Sequence, residues 1–259
     1  MAQLLEVREL SLRFGGLQVL ENVSVDVGEW EIVGLIGPNG AGKTSFFNCV
    51  TGIYRPDSGS VRFGGRDVSR MPTHRRSQLG IGRTWQNLGV VGTLTVFENV
   101  LLAQHGHAGY HALSGLLGMP RSVARERELR RDAHEITHYL GLHEYARERV
   151  NDLPYGVQKL CDLAMALATD PVVLLLDEPS SGMSPEEARS LGAKLRELRE
   201  TLRLTIVMIE HHVPLVVDVC DYVYVLNFGQ LLAEGKPRNI QDHPEVVAAY
   251  LGDADHAVS

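Results

Sequence analysis

An eight-residue glycine-rich segment at positions 37–44 places the strongest constraint on how this chain folds. It consists of Gly-Pro-Asn-Gly-Ala-Gly-Lys-Thr and matches the phosphate-loop pattern G-x-x-x-x-G-K-[S/T] at every fixed position. A continuously apolar run at 32–36, typical of a strand buried on both faces of a parallel sheet, precedes it. A helical pattern follows at about 43–52. The segment therefore predicts a strand–loop–helix unit that binds the phosphates of a nucleotide.

The residue types of this loop follow from the geometry of phosphate binding. Backbone N–H groups must converge on phosphate oxygens, and glycines allow this because they accept positive φ angles and carry no side chain. The amino end of the following helix adds a partial positive charge. Lys43 is predicted to reach the β- and γ-phosphates, and the Thr44 hydroxyl to bind Mg²⁺. The predicted nucleotide-binding segment comprises Gly37, Pro38, Asn39, Gly40, Ala41, Gly42, Lys43, Thr44 and Ser45.

Two acidic residues follow a second apolar run at 172–176. At the carboxyl end of a buried parallel strand, Asp177 is predicted to hold Mg²⁺ through water, opposite Thr44. Glu178 comes next and is predicted to orient or deprotonate an attacking water. Taken alone, these residues also fit a strand that ends in an acidic turn. Behind a phosphate loop, they favour hydrolysis of the bound nucleotide.

Strand-like and helix-like segments alternate near both ends of the chain, and a helical block separates them. Residues 4–33 show strand-like alternation punctuated by glycine turns. Residues 121–150 are rich in Arg, Glu and His and have the apolar spacing of amphipathic helices, whose charged face we expect to be solvated. Residues 185–202 predict a further helix with Ser184 as its N-cap. This order predicts a parallel-sheet α/β core with an inserted helical subdomain.

Composition and charge exclude several classes of protein. The chain has 259 residues, and its 25 Lys and Arg against 32 Asp and Glu give a formal net charge of −7, which argues against a general nucleic-acid binder. No apolar run approaches the roughly 18 residues of a membrane span, and the N-terminus lacks the pattern of a signal peptide. Three widely spaced cysteines form neither a metal pattern nor a disulfide framework. We therefore expect a cytosolic protein that does not cross a membrane by itself.

The motifs together resemble those of ABC-transporter ATPases, and the resemblance extends from about residue 4 to residue 251. They follow the order of that family: Phe14, 37–44, Gln86, 153–157, 174–178, 181–184 and His211. The resemblance implies a P-loop NTPase (RecA-like) core with an N-terminal antiparallel β subdomain and an inserted α-helical subdomain. It implies one ABC ATPase domain at 4–252. The core would occupy about 4–87 and 163–235, the helical subdomain about 88–162, and a C-terminal helix about 236–252.

The resemblance also implies roles for residues outside the phosphate loop. Phe14 would stack on adenine, Gln86 would sense Mg²⁺ and the γ-phosphate, and His211 would contact the γ-phosphate. The implied catalytic residues are Lys43, Gln86, Glu178 and His211. The implied Mg²⁺ residues are Thr44, Gln86 and Asp177. ATP and Mg²⁺ are the implied cofactors.

Two segments depart from the family pattern. The signature motif usually has the sequence Leu-Ser-Gly-Gly-Gln, whereas residues 153–157 here are Leu-Pro-Tyr-Gly-Val. Pro154 has neither a hydroxyl nor a backbone N–H, although Gly156 and the start of the following helix can still present N–H groups to an anion. The resemblance implies that Pro154, Tyr155 and Gly156 would contact the ATP of a partner subunit. Ser184 replaces the usual aspartate of the loop after the acids. These changes favour a heterodimer with unequal sites, with a homodimer as the alternative.

Finer details resemble the ATPases of branched-chain amino-acid transporters. They include Arg-Phe-Gly-Gly-Leu at 13–17, Arg-Thr-Trp-Gln at 83–86 and the segment at 244–252. The resemblance implies an importer subunit, peripheral on the cytoplasmic face of the cell membrane. Its partners would be transmembrane permease subunits, a second ABC ATPase subunit and, indirectly, a solute-binding protein, but no nucleic acid. Three alternatives stay open: an importer for urea, amides or other amino-acid-like solutes, a non-transport ABC ATPase, and a purely regulatory nucleotide-binding module.

Overall fold

The computed structural model describes residues 3–84, 88–107 and 120–256, and their strands form two sheets. The strands are β1 (Gln3–Phe14), β2 (Leu17–Gly28), β3 (Ile32–Ile36), β4 (Ser58–Phe63), β5 (Arg66–Asp67), β6 (Ile81–Arg83), β7 (Val173–Asp177), β8 (Thr205–Ile209), β9 (Tyr222–Asn227) and β10 (Gln230–Gly235). The helices are α1 (Lys43–Thr51), α2 (Thr73–Gln78), α3 (Val96–His107), α4 (Pro120–Tyr139), α5 (Tyr155–Leu167), α6 (Pro185–Leu202), α7 (Val213–Val219), α8 (Pro237–Gln241) and α9 (Pro244–His256).

The smaller sheet is antiparallel and has the order β2-β1-β4-β5. The larger sheet has the order β10-β9-β3-β8-β7-β6, and all its strands are parallel except β10. In this order β3, β8 and β7 are neighbours. Ligands of open parallel sheets bind outside the carboxyl ends of the strands. The fold therefore brings the segments that follow these three strands to one edge.

Every residue of β3, β7 and β8 is buried, and alternate side chains of these strands enter two different cores. Val33, Leu175 and Val207 pack with α1 and the antiparallel sheet. Ile32 and Leu174 pack on the other face with α5, α6 and α7. Burial on both faces explains the continuously apolar sequence of these strands. The predicted combination of a parallel α/β core with an N-terminal antiparallel sheet is confirmed.

The helical block consists of α3, α4 and the greater part of α5. Ala133 and Leu129 of α4 are buried, whereas its charged side chains form exposed pairs such as Arg125–Glu128 and Arg130–Glu126. The expected solvated face of the charged run is confirmed for these pairs. No helix in the described part of the chain is long and apolar enough to cross a membrane.

The C-terminal segment differs from the single helix expected at about 236–252. It forms α8 and α9, and a break at Asp242 separates them. Pro244 begins α9, where its missing N–H costs nothing because the first N–H groups of a helix have no intrahelical partner. A proline there could not continue α8, so the chain starts a new helix.

Candidate active site

Close backbone contacts hold the phosphate loop between β3 and α1. Gly37 has a φ of 148°, and a Cβ at this position would overlap the carbonyl oxygen of Leu226 in β9. Gly42, the N-cap of α1, has a φ of 100°, and a Cβ there would lie 2.8 Å from the carbonyl oxygen of Val19. Both the positive φ angles and the lack of space require glycine at these two positions.

The loop residues divide into buried and exposed groups. Pro38 and Ala41 are buried, whereas Asn39, Gly40 and Thr44 are exposed and Ser45 is half-buried. Lys43 is buried, and its ammonium group donates hydrogen bonds to the carbonyl oxygens of Gly37 and Pro38, at 2.7 and 2.8 Å. These bonds hold the lysine charge inside the loop, where phosphate oxygens would be attracted to it.

Asp177, the last residue of β7, is almost completely buried and forms an ion pair with Arg83 of β6. The Arg83 Nη2 atom lies 2.8 Å from Oδ2 of Asp177, and its Nη1 atom donates to Oδ1 of Asn48 in α1, at 2.7 Å. Burial raises the pKa of Asp177, and the Arg83 guanidinium opposes that rise. The pair thereby connects two strands of the core to the helix that follows the phosphate loop.

The other carboxylate oxygen of Asp177 fits a metal ion. Oδ1 is buried and has no hydrogen-bond partner within the described segments. Those segments also contain no cluster of three or more His, Cys, Asp or Glu that could hold a metal on its own. Mg²⁺ in phosphate-transfer sites needs only one or two carboxylates, because water and substrate phosphates complete its shell. Asp177 and Thr44 are therefore suited to hold Mg²⁺ together with a nucleotide.

Glu178 and His211 come together at the ends of the neighbouring strands β7 and β8. The Oε1 atom of Glu178 lies 3.0 Å from Nε2 of His211, and the side chains are 21% and 35% exposed. Glu178 has a φ of 49°, and its backbone N–H donates to the carbonyl oxygen of Ile209. The carboxylate is thus fixed by the imidazole and remains accessible to water.

Glu210 is a functional candidate that the sequence analysis missed. It is buried, its Oε1 atom accepts from the N–H of Ser180, and its Oε2 atom accepts from the N–H groups of His211 and His212, at 2.8, 3.1 and 3.3 Å. Glu210 therefore ties the turn after Glu178 to the segment that carries His211. The sequence carried one signal for Glu210: like Asp177, it is an acidic residue directly after an apolar run.

Phe14 lies outside this cluster, at the end of β1 in the antiparallel sheet. Its side chain is 47% exposed, and its ring packs edge-on against Tyr54 with the centroids 5.1 Å apart. An exposed aromatic face of this kind is available for stacking. Gln86 lies outside the described residues. Thr84 lies shortly before Gln86 in the sequence, and the Thr84 hydroxyl accepts a hydrogen bond from the backbone N–H of Asp177.

The signature segment lies at the start of α5, in the helical block. Pro154 is the N-cap, and its carbonyl oxygen accepts from the N–H groups of Val157 and Gln158. Tyr155 is 44% exposed. A Cβ on Gly156 would lie 2.7 Å from the carboxylate of Glu187 in α6, so no larger residue fits without a shift. The first N–H groups of α5 remain the only helix-end donors that this segment offers to an anion.

Comparison with protein families identifies the chain. A model described as ABC transporter matches residues 20–181, and a model described as branched-chain amino acid ATP-binding cassette transporter matches residues 230–256. The chain belongs to the ABC transporter ATP-binding proteins, in the branched-chain amino acid transporter family. This ABC ATPase carries the phosphate loop and the acids inside the first matched range.

Individual relatives agree with this assignment. The high-affinity branched-chain amino acid transport ATP-binding protein BraF of Pseudomonas aeruginosa is 40% identical over 251 residues, which are 97% of this chain and 98% of the relative. The corresponding LivG protein of Salmonella typhimurium is 41% identical with the same coverage. A crystal structure of the ADP conformation of an ATP-binding cassette of an ABC transporter is 30% identical. Its TM-score is 0.86, and the match covers 97% of this chain and 100% of that one.

Proposed function

We propose that this ABC ATPase binds ATP at residues 37–45, hydrolyses it with Glu178 and His211, and powers the import of branched-chain amino acids. The observation that carries the catalytic part is the Glu178–His211 pair, which lies at the strand edge that also carries the phosphate loop. The match of the C-terminal segment and the names of the relatives support the transported solute.

Catalysis in such a site consists mainly of positioning and charge stabilisation. Lys43 and the N–H groups of the loop bind the phosphates. The Oε1 atom of Glu178, held 3.0 Å from Nε2 of His211, orients or deprotonates the attacking water. Asp177 and Thr44 would hold Mg²⁺, which would supply positive charge to stabilise the phosphates during transfer. Gln86 and Phe14 complete the site as a γ-phosphate sensor and an adenine platform.

The partners follow from the role of an ABC transporter subunit. We place the chain on the cytoplasmic face of the cell membrane, against transmembrane permease subunits, with a solute-binding protein delivering substrate to them. A second ABC ATPase subunit supplies the other half of each site. Pro154, Tyr155 and Gly156 bind the ATP held by that partner, and the missing N–H of Pro154 favours a heterodimer.

Replacing Glu178 with glutamine tests the catalytic assignment. An amide is a poor base, so ATP turnover of the assembled transporter should fall by roughly 10²–10³ while ATP affinity persists and ATP-trapped dimers accumulate. Glu186→Gln, an exposed position in α6, is the matched control for Glu178→Gln. Full hydrolysis by the Glu178→Gln variant would contradict the proposal.

Lys43→Ala should instead weaken ATP binding, because the phosphates lose the lysine charge. Titration of the variant with ATP measures this loss of affinity.

Uptake measurements test the solute separately. Proteoliposomes that contain the complete transporter and its solute-binding protein should accumulate labelled leucine, isoleucine or valine in the presence of ATP. Accumulation of urea or a short amide in their place would assign the chain to one of the related importers.

A further inference from the structure

Helix α5 contacts the segment that carries the catalytic glutamate. We call residues 178–184 the catalytic turn. Lys159 lies on α5 and is only 6% exposed. Its ammonium group donates to the backbone carbonyl oxygen of Glu178, with Nζ and O 3.4 Å apart. A buried lysine on the helical block thus reaches the residue that we assign as the general base.

A second contact fixes the same helix against the same turn. Gly182 of the catalytic turn has a φ of 77°, and a Cβ there would lie 2.7 Å from Cε1 of Tyr155. The ring of Tyr155 therefore packs closely on the turn. The Nζ atom of Lys159 lies 5.8 Å from the centroid of this ring, within the range of a cation–π interaction. Tyr155 and the carbonyl of Glu178 both help to hold the ammonium group in place.

The backbone of Glu178 needs such support. Its φ of 49° is uncommon for a residue with a side chain and is strained, so it persists only where the surroundings determine it. The N–H of Glu178 is held by the carbonyl oxygen of Ile209, and its carbonyl is held by Lys159. Both peptide groups next to the Cα atom of Glu178 are therefore fixed. Together they set the direction in which the side chain projects from the main chain.

We propose that Lys159 is a positioning residue for Glu178, held against its carbonyl by the ring of Tyr155. The inference rests on the proposed catalytic role of Glu178. Lys159 does not transfer a proton. It holds the main chain so that the carboxylate meets His211 and the attacking water.

Kinetics of the assembled transporter test this role. Lys159→Met keeps the apolar stem and removes the ammonium group. We expect kcat for ATP hydrolysis to fall about tenfold with KM within about twofold, because the lost interaction positions the base and does not bind ATP. Lys159→Arg restores the donor and charge and should recover most of kcat. Lys194→Met, on α6 and away from the catalytic turn, is the control and should leave both constants unchanged.

Three comparisons decide the outcome. Wild-type kcat in Lys159→Met overturns the inference. An equal loss in the Met and Arg variants, accompanied by a lower Tm, also overturns it, because it shows a purely structural role. If Lys159→Met does not fold, Lys159→Leu, which also removes the donor, is measured in its place, and the same tenfold loss of kcat is expected. Glu178→Gln, assayed in parallel, separates the two proposals: if it keeps full turnover, the catalytic assignment itself fails.

Discussion

The charge of Asp177 depends on opposing influences from its surroundings. Burial at the end of β7 raises its pKa, whereas the Arg83 guanidinium, 2.8 Å from Oδ2, lowers it. A carboxylate must be ionised to bind a metal ion. The pH at which this residue can bind Mg²⁺ therefore depends on its burial first and on the opposing charge of Arg83 second.

Replacing Arg83 with leucine should move the acid side of the ATPase pH profile to higher pH. Without the guanidinium, the pKa of Asp177 rises further, so the residue is protonated at pH values where the wild-type carboxylate is still ionised. Rates measured against pH at a fixed, subsaturating Mg²⁺ concentration would show the shift. Arg127→Leu, an exposed arginine of α4, is the control and should leave the profile unchanged.

The same substitution should lower stability more at neutral than at acidic pH. A carboxyl with a raised pKa holds its proton more tightly in the folded state, so its stabilising contribution is complete below the unfolded pKa and is lost as pH rises through the folded pKa. Removing one partner of a buried ion pair costs roughly 3–5 kcal/mol. Thermal unfolding at two pH values measures the effect, and an equal loss of Tm at both would contradict this account.

At the scale of elements, Ser184 departs from the family pattern but still supplies the N-cap of α6. Its hydroxyl accepts from the N–H of Glu187, and the Glu187 carboxylate accepts from the N–H of Ser184, which forms a complete capping box at the start of α6. The prediction of Ser184 as an N-cap is confirmed. The cap also fixes the end of the catalytic turn.

Ser184→Ala should therefore destabilise the protein by about 1 kcal/mol, because one helix N–H loses its partner. For a chain of this size the loss lowers Tm by roughly 2–4 °C. Ser184→Asp should keep Tm near the wild-type value, since aspartate is an equally good N-cap. Calorimetry of both variants checks the prediction. Equal Tm values for the alanine variant and the wild type would show that the cap contributes nothing.

Elements that depend on local pattern could be predicted, whereas contacts that depend on strand order could not. The phosphate loop, β3, β7 and α6 follow from apolar runs, glycines and caps that lie within a few residues of one another. Arg76 has no such signal. It is buried, and its guanidinium donates to the carbonyl oxygens of Cys49 and Val50 at the end of α1. In sequence it is one of two adjacent arginines in a polar stretch.

The same limit applies to the candidate site. The acidic pair after an apolar run singled out Glu178, the resemblance to a known family singled out His211, and the structure brings the two together. Glu210 and Lys159 were not predicted as site residues. Glu210 had the signal of an acid after an apolar run, but its contact with Ser180 forms only when β7 and β8 are packed side by side. The contact of Lys159 with Glu178 likewise joins α5 to the end of β7, and no spacing within the sequence encodes it.

At the scale of the whole molecule, the signature segment predicts unequal sites in the assembled ATPase pair. Pro154 caps α5 without an N–H or a hydroxyl to offer a phosphate. In a complex with the partner ATPase, Pro154→Ser should raise turnover at the site to which this chain contributes its signature, by up to about tenfold, because a hydrogen bond to a charged group is gained.

Site-specific turnover can be measured in complexes whose other site is disabled. Pro72→Ser is the matched control, since Pro72 is also a helix N-cap, at the start of α2. An unchanged rate in Pro154→Ser, or robust hydrolysis by the purified chain as a homodimer, would contradict the prediction of unequal sites.

The lack of space around Gly37 changes what a genetic screen of this protein would report. The carbonyl oxygen of Leu226 lies 2.0 Å from the place that a Cβ would occupy at that position. Substitutions there should lower the amount of folded protein, whereas substitutions at Thr44, which is exposed, should leave abundance intact and abolish transport. Two positions of one motif would thus fall into different phenotypic classes, one corrected by compensating stabilising mutations and the other not.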